Sequence, residues 1–156
     1  MITATLTQEL IDLSTFVNAV KSDEYGAVVT FAGDVRNNDG GKVVTSLTYE
    51  IHPSAASVLE EIVNEVAAKH EVGNVAVAHR FGPIAIGESA FIVAVSSRHR
   101  GPAFAACTEL VDEVKARLPI WKYQVFADGS DGGSNRLSRR PSGRPAGRLR
   151  RDSPAG

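Results

Sequence analysis

The sequence predicts an α+β fold with a mixed, mainly antiparallel sheet. Two observations support this class. The apolar patterns give the element order β-α-β-β-α-β-β-α-β, and the connections between these elements are short and include a hairpin. A doubly wound parallel sheet would instead show strands and helices in regular alternation. No internal repeat is evident, so the pattern describes one folding unit.

Three segments have the apolar spacing of amphipathic helices. The first is capped by Asp12 or Ser14, since both side chains can accept a hydrogen bond from a helix N-terminus. The second begins at Pro53, and the third begins near Pro102 and ends at Pro119. For the third helix the predicted buried stripe is Phe104, Cys107, Leu110, Val111 and Val114.

Alternating or continuous apolar runs predict the six strands of this order, at 2–7, 25–35, 43–51, 74–80, 89–95 and 120–126, and a further short strand at 84–86. Gly33 indicates a bulge or a close backbone approach within the second strand. The turn-rich loop Asn37–Gly41 is flexible enough to act as a flap. Because residues 43–51 alternate in character, we expect this strand to pair with the strand before the loop as an antiparallel hairpin.

Composition divides the chain into a body, residues 1–131, and a tail, residues 132–156. The tail is rich in Arg, Gly, Ser and Pro and carries seven Arg against the single acidic Asp152, a net +6. Since the whole chain carries −1, the body carries −7. The tail has too few large apolar side chains to offset its ordering entropy, so we expect it to be disordered.

Several classes of protein are disfavoured by what the sequence lacks. There is no secretory signal and no apolar run long enough to span a membrane, which predicts a cytoplasmic protein. The single Cys107 cannot form an internal disulfide and is expected in the core. The four His residues show no metal-ligand spacing, and no glycine-rich nucleotide-binding motif occurs, so neither a metal site nor a nucleotide cofactor is predicted.

Two cationic clusters are the strongest candidates for a binding site. Ser96–Arg100 lies between an apolar strand and a helix N-terminus, whose unpaired N–H groups favour a phosphate or a carboxylate. The second cluster, Lys115–Lys122, surrounds the proline at the end of that helix. Strand alternation places Lys122 on the same face as Ile120, which predicts that this lysine is partly buried. The alternative is that these residues are solvated surface charges, with Lys115 favoured only by the helix dipole.

These clusters belong to a set of motifs that resembles the family of the large, catalytic subunit of molybdopterin synthase. The resemblance covers roughly residues 3–131. The matching stretches are Gly26–Gly33 with Val35-Arg36, Leu47–Glu50, Val77–Arg80 with Gly82, Ile86–Glu88, Val93–Arg100, Ala103-Phe104 and Lys115–Lys122. Each motif is weak alone, and their combination at these spacings is specific.

The resemblance implies an α/β-hammerhead-type fold with an added β-subdomain, and a homodimer. It implies that each subunit receives the C-terminal Gly-Gly tail of a small ubiquitin-like carrier, which ends in a thiocarboxylate. The implied substrate is cyclic pyranopterin monophosphate (precursor Z), which acquires two sulfurs as the dithiolene of molybdopterin while its cyclic phosphate is opened. No cofactor is implied, because the sulfur arrives on the partner.

By position, the resemblance assigns catalytic roles to Lys115 and Lys122, with Lys115 central. The substrate-binding residues that it implies are Asp34, Val35, Arg36, His99, Arg100, Lys115, Lys122, Tyr123 and Gln124. Asp34 departs from the family pattern, since many members are basic or neutral there. The tail departs as well, since members commonly continue past Asp131 with an acidic residue, a Trp and a short terminus.

Two other functions are compatible with the sequence. The altered terminus would suit a scaffold that binds the carrier but turns over poorly. The Arg-rich tail would suit non-specific nucleic-acid binding, although the acidic body and the lack of interleaved aromatic residues argue against it.

Overall fold

Nine strands and three helices make up the part of the chain that the computed structural model describes, residues 1–135. The strands are β1 (Ile2–Thr7), β2 (Ala27–Asp34), β3 (Asn38–Asp39), β4 (Lys42–Ile51), β5 (Val75–Arg80), β6 (Gly82–Ile84), β7 (Ser89–Ser97), β8 (Ile120–Phe126) and β9 (Asp131–Asn135). The helices are α1 (Leu13–Val20), α2 (Ala55–Lys69) and α3 (Arg100–Arg117).

The strands form two sheets, as the predicted α+β class with an added β-subdomain requires. In the first sheet the order is β1-β5-β7-β2, and β1 runs parallel to β5 while the other pairs are antiparallel. The second sheet has the order β3-β4-β8-β9, with β6 beside β4, and all its pairs are antiparallel. The prediction of a mixed, mainly antiparallel arrangement is therefore confirmed.

The helices cover the first sheet on both faces. Val75, Val77, Val93 and Val95 belong to the main core, together with buried residues of α2 and α3. The intervening residues Ala76 and Ala94 instead form a small second cluster with Val20 of α1. Strand alternation puts these two sets on opposite faces. Because both faces are covered, β5 and β7 are almost entirely buried, which explains why their sequences are continuous apolar runs.

The three predicted helices are confirmed, but some of their first residues and two positions of the predicted buried stripe of α3 differ from the structure. Asp12 is the N-cap of α1 and accepts a hydrogen bond from the backbone N–H of Ser14 at 3.4 Å. The third helix starts at Arg100, so Pro102 lies within its first turn. Phe104 was predicted to be buried, but 58% of it is exposed. The buried face of α3 instead carries Ala103, Ala106, Cys107, Leu110 and Val114, and Val111 is only partly buried against the core.

The predicted hairpin between the second strand and the strand at 43–51 is wrong. β2 pairs with β7 in the first sheet, whereas β4 pairs with β8 and β6 in the second. The loop between them does make a hairpin, but a smaller one, in which the two-residue strand β3 turns back on the start of β4. Gly40 and Gly41 form its tip with φ of 58° and 82°, which glycine adopts without strain. The predicted bulge at Gly33 is confirmed by a register shift between Gly33 and Asp34.

Strand β9 crosses the predicted boundary between body and tail. It runs from Asp131 to Asn135 and pairs antiparallel with β8, so that Lys122 is opposite Ser134. The ordered pairing thus extends four residues beyond position 131. The rest of the predicted tail, residues 136–156, lies outside the described residues.

We expect β9 to contribute to stability although its sequence resembles the tail. A chain that ends at Ser130 loses the β8–β9 ladder, at a cost of roughly 2 kcal/mol for a few net backbone hydrogen bonds. For a domain of this size, this corresponds to a decrease in Tm on the order of 5 °C. Thermal unfolding followed by circular dichroism measures this decrease. A chain that ends at Asn135 is the matched control and should keep the Tm of the full chain; equal Tm values for all three would show that β9 contributes nothing.

Candidate active site

A cavity of about 210 Å³ lies where the two sheets meet. The end of β2, the start of β7, the C-terminal part of α3, the hairpin strand β3 and the middle of β4 and β8 all contribute to it. Six of the predicted site residues line it: Asp34, Val35, Arg36, Lys115, Lys122 and Gln124. The other lining residues are Phe31, Gly33, Asn38, Asp39, Leu47, Tyr49, Ala90 and Phe91.

The β4–β8 register explains which residues of β8 reach the cavity. Lys122 is opposite Tyr49 and Gln124 is opposite Leu47, so these four side chains share one face of the second sheet. Tyr123 is on the other face, where its hydroxyl donates a hydrogen bond of 2.5 Å to Asp131. This contact raises the pKa of Tyr123. The structure therefore does not place Tyr123 in the cavity with its predicted neighbours.

His99 and Arg100 are also separated from the cavity within one protomer. They line a second, open depression with Arg98, Gly101 and Pro102, at the N-terminus of α3. This depression includes Ala27 at the start of β2, whereas the cavity lies at the end of the same strand. Seven residue steps along a strand span roughly 23 Å. The sequence-based expectation of one pocket that holds all the cationic residues is therefore not met by a single chain.

The two lysines approach the cavity from different elements. Lys115 is on the last turn of α3, and its Nζ lies 5.6 Å from the centroid of the Phe31 ring, a cation–π distance. Lys122 is on β8, and 26% of its side chain is exposed. Its partial burial agrees with the prediction from strand alternation. Two ammonium groups are thus brought to one cavity although seven positions separate them in the sequence.

Two carboxylates are in the same cavity. Asp34 accepts a hydrogen bond of 2.5 Å from the hydroxyl of Ser89 across the β2–β7 pair. Asp39, on the short strand β3, has its Oδ2 3.9 Å from Nζ of Lys122. The charged lining residues, Arg36, Lys115 and Lys122 against Asp34 and Asp39, therefore leave a formal surplus of one positive charge. Such a surplus favours binding of an anion, while Lys115 and Lys122 also have partners within the chain.

A chain of ring contacts underlies the cavity and connects the two sheets. Phe31 of β2 meets Phe91 of β7 edge-on, with centroids 5.6 Å apart. Phe91 stacks on His79 of β5 at 5.3 Å, and His79 meets Tyr49 of β4 at 5.1 Å in a T-shaped contact. His79 is fully buried, and its Nδ1 lies 2.7 Å from the carbonyl oxygen of Arg80. These contacts give the cavity a closely packed floor.

Comparison with known proteins identifies the family. The profile described as MoaE protein matches residues 6–117. The chain belongs to the MoaE family.

Two relatives of this MoaE-family chain are named molybdopterin synthase catalytic subunit. It is 38% identical over 120 residues to the Arabidopsis thaliana protein, covering 76% of this chain and 61% of that one. It therefore spans less than two thirds of the length of the plant relative. It is 36% identical over 126 residues to the Thermoplasma volcanium protein, covering 80% and 92% of the two chains. Molybdopterin synthase from Staphylococcus aureus has a similar structure, with a TM-score of 0.75 and 30% identity over 83% of this chain and 94% of that one.

In this MoaE-family chain, the ion pair between Arg80 and Glu88 supports the segment that follows β2. Arg80 is 5% exposed, and its guanidinium donates to Glu88 at 3.2 Å and to the carbonyl of Gln8 at 3.2 Å. Glu88 also accepts from the backbone N–H of Ala85 at 3.0 Å, and its own carbonyl accepts from the N–H of Val35 at 2.9 Å. The turn that carries Glu88 is thus fixed against the cavity-lining strand.

Sequence reasoning did not assign Asp39, Phe31, Phe91 or Tyr49 to the site. Alternation along β2 offered a signal for Phe31, because Phe31, Gly33 and Val35 share one face. Asp39 had no such signal, since it is in a turn-rich loop and its place at the cavity involves a tertiary contact with Lys122. Phe91 and Tyr49 read as ordinary core residues, and only the meeting of the two sheets brings them to the cavity.

The pH dependence of stability tests the role of Glu88. The N–H of Ala85, and then the guanidinium of Arg80, hold the pKa of Glu88 below its ordinary value of 4.5. A lowered pKa gives stability that is present above pH 4.5 and is lost as the pH falls through the folded-state value. We expect Glu88→Gln to lower the free energy of unfolding at neutral pH. At acid pH its free energy of unfolding should approach that of the wild type. Urea unfolding at several pH values measures the free energy of unfolding of the wild type and of Glu88→Gln.

Glu60→Gln, which removes an exposed carboxylate of α2, is the control and should show a much smaller difference from the wild type at neutral pH. If the Glu88→Gln difference is the same at all pH values, the ionised form of Glu88 does not support the turn.

Proposed function

We propose that this protein is the catalytic subunit of a molybdopterin synthase. In this reaction, sulfur passes from the thiocarboxylate at the C-terminus of a small ubiquitin-like carrier to precursor Z, and the product is the dithiolene of molybdopterin. Overall, two thiocarboxylates each exchange sulfur for oxygen: a carbon–sulfur bond forms on the pterin where a carbon–oxygen bond breaks, and the displaced oxygen leaves as water or stays on the phosphate. On each carrier the carbon–sulfur bond breaks, and water supplies the oxygen that completes the carboxylate. The observation that carries the proposal is the convergence of Lys115 and Lys122 on one cavity of a MoaE-family chain.

The charge of the cavity suits both reactants. The phosphate of precursor Z and the carrier's thiocarboxylate are anions, and cationic donors bind such groups through charge-assisted hydrogen bonds. Arg36, Lys115 and Lys122 supply these donors at the cavity. The chain needs no cysteine for this reaction. Burial raises the pKa of Cys107 to about 11, so its thiol is not a ready nucleophile.

The volume of the cavity suits a glycine tail. At about 210 Å³ it is smaller than most small-molecule sites, which begin at roughly 300 Å³. Two glycines without side chains fit a narrow site of this kind, and the pterin would then lie at its mouth. In a homodimer, His99 and Arg100 of the second protomer would extend the site there and contact the phosphate, and this second protomer accounts for their distance from the cavity within one chain.

The family resemblance suggests the roles of the two lysines, and their positions at the cavity are compatible with these roles. Lys115, beside the Phe31 ring, is assigned to the carrier's terminal glycine, where its ammonium stabilises charge that develops on the carbonyl oxygen. Lys122 is partly buried and is assigned to substrate binding or proton transfer. Asp34, Val35 and Gln124 complete the wall, and Tyr123 supports it from the opposite face of β8.

The reaction and its partner are proposed to be cytoplasmic. Within residues 1–135, none of the helices is both long and apolar enough to cross a membrane.

Replacement of Lys115 tests the active site directly. We expect Lys115→Ala to reduce molybdopterin formation by at least about 100-fold, since a positioned charge or proton-transfer group contributes on this order. Binding of the carrier should survive, because the rest of the interface is untouched. Reconstitution with thiocarboxylated carrier and precursor Z measures conversion, and calorimetry measures carrier binding. The control is Lys21→Ala, an exposed lysine next to α1; wild-type turnover by Lys115→Ala would contradict the assignment.

Removal of the tail separates the enzyme from the scaffold alternative. We expect a chain that ends at Asn135 to retain full activity, because every residue that lines the cavity precedes that position. Product formation by the full and truncated chains should therefore be equal. If the full chain had poor activity and the chain that ends at Asn135 were much more active, the segment after Asn135 would impair catalysis. The scaffold interpretation requires this result. A gel-shift titration of the same two chains at rising salt concentration tests the nucleic-acid alternative.

A further inference from the structure

Asp39 is a lining residue that the proposed reaction leaves without a role. Its carboxylate faces a site that is proposed to bind anions, where a negative charge competes with the ligand. It is 3.9 Å from Nζ of Lys122, and 43% of its side chain is exposed. The same ammonium is therefore in contact with a carboxylate of this chain at the place where a substrate anion is expected.

The hairpin that carries Asp39 is built to hold it at this point. In the register of β3 and β4, Asp39 is opposite Lys42, yet these two charges contact other groups. Nζ of Lys42 lies 3.8 Å from Asp128 and 5.2 Å from the centroid of the Phe126 ring. The hairpin is thus attached to the β8–β9 turn on one side and to Lys122 on the other.

The closure of the hairpin also comes from local contacts. Its tip is the pair Gly40-Gly41, and the N–H of Gly41 donates to the side chain of Asn38 at 3.2 Å. The N–H of Val44 donates to the carbonyl of Asn37 at 2.8 Å. These contacts fix the turn itself, whereas the Asp39–Lys122 and Lys42–Asp128 contacts fix where the turn lies. If the hairpin moves as a unit, the distance between Asp39 and Lys122 can therefore change without disruption of the β4–β8 pairing, which begins at Val44.

We infer that Asp39 is a positioning residue that serves as an internal counter-ion of Lys122 and is displaced by the anionic group of a reactant, a phosphate or a carboxylate. This inference rests on the proposed function of the cavity. In the empty site, the carboxylate offsets the repulsion among the cations and keeps the ammonium of Lys122 directed into the cavity. When the reactant's oxyanion takes its place, the hairpin moves away from Lys122 and the mouth of the cavity widens.

Exchange of one anion for another makes the site selective. A ligand must offset the loss of the Asp39 contact, so neutral molecules and weak anions are disfavoured relative to a dianionic phosphate. The interaction is a partly exposed ion pair, and the competition it imposes is correspondingly modest.

The binding of inorganic phosphate to the isolated protein tests this inference without turnover. A titration followed by two-dimensional NMR at constant ionic strength gives the Kd for phosphate. We expect Asp39→Asn to tighten phosphate binding by about two- to fivefold, the range of a partly exposed ion pair. Asp128→Asn is the matched control, because it removes the same charge and another ion pair of the same hairpin outside the cavity. It should leave the Kd unchanged.

The Lys122→Gln background shows whether the effect acts through Lys122. There Asp39→Asn should no longer tighten binding, as a double-mutant cycle requires of two groups that interact directly. A parallel titration with N-acetylglycylglycine tests a carboxylate in place of the phosphate, and tighter binding of either anion supports the inference. Unchanged or weaker binding of both anions to Asp39→Asn contradicts it. So does an equal gain in Asp128→Asn, or a gain that persists without Lys122.

Turnover separates this inference from the proposed function. With precursor Z and thiocarboxylated carrier, Asp39→Asn should lower KM by a similar factor without raising kcat, because it removes competition for binding only. Asp39→Glu, which restores the carboxylate, should return KM toward the wild-type value. If phosphate binding responds as expected but no sulfur is transferred by any variant, the counter-ion role stands and the proposed reaction fails.

Discussion

Repulsion among like charges limits how the candidate active site can be built. Arg36, Lys115 and Lys122 come from three different elements, the loop after β2, helix α3 and strand β8, and face one cavity of about 210 Å³. Two unit charges 4 Å apart repel by about 4 kcal/mol near a protein surface, and the energy decreases with distance. Local partners offset part of this cost: the Phe31 ring next to Lys115, and the Asp39 carboxylate next to Lys122. The charge that remains is available to an anionic ligand.

The fold holds these charges by placing the site between two sheets rather than within one. Each sheet supplies part of the lining, and the rings of Phe31, Phe91, His79 and Tyr49 connect them in an unbroken series. Helix α3 spans the first sheet from the depression at His99 to the cavity at Lys115. The two ends of α3 therefore lie at two different surfaces. The surface at its N-terminus, with His99 and Arg100, adds to the cavity only if it comes from a second protomer.

Local sequence patterns predicted where helices and strands occur better than they predicted which strands pair with each other. The helices and most strands were found within a few residues, because apolar periodicity and capping residues such as Asp12 act locally. The strand-like run at 43–51 was paired with the preceding strand, but alternation does not specify which of several half-buried strands is opposite. Strand β9 has no apolar pattern, since its residues are fixed mainly by backbone hydrogen bonds to β8.

The site could be predicted in composition but not in arrangement. Family motifs indicated Lys115, Lys122 and Arg36, which the structure brings together. They gave no information on the separation of His99 and Arg100, because a motif does not record whether its residues act within one chain or across two. The exposed Phe104 shows a similar limit. Periodicity assigned this large apolar residue to the core. The structure instead buries the smaller Ala103 and Ala106 of the same helix and leaves Phe104 exposed.

The proposed reaction is the transfer of sulfur to a phosphate-bearing pterin in the cavity between the sheets. Reconstitution of the purified chain with thiocarboxylated carrier and precursor Z, followed by mass spectrometry of both products, tests it most directly. We predict a pterin that has gained two sulfurs and a carrier whose terminal thiocarboxylate has become a carboxylate. Loss of sulfur from the carrier with precursor Z unchanged, or no change in either reactant, would contradict the account.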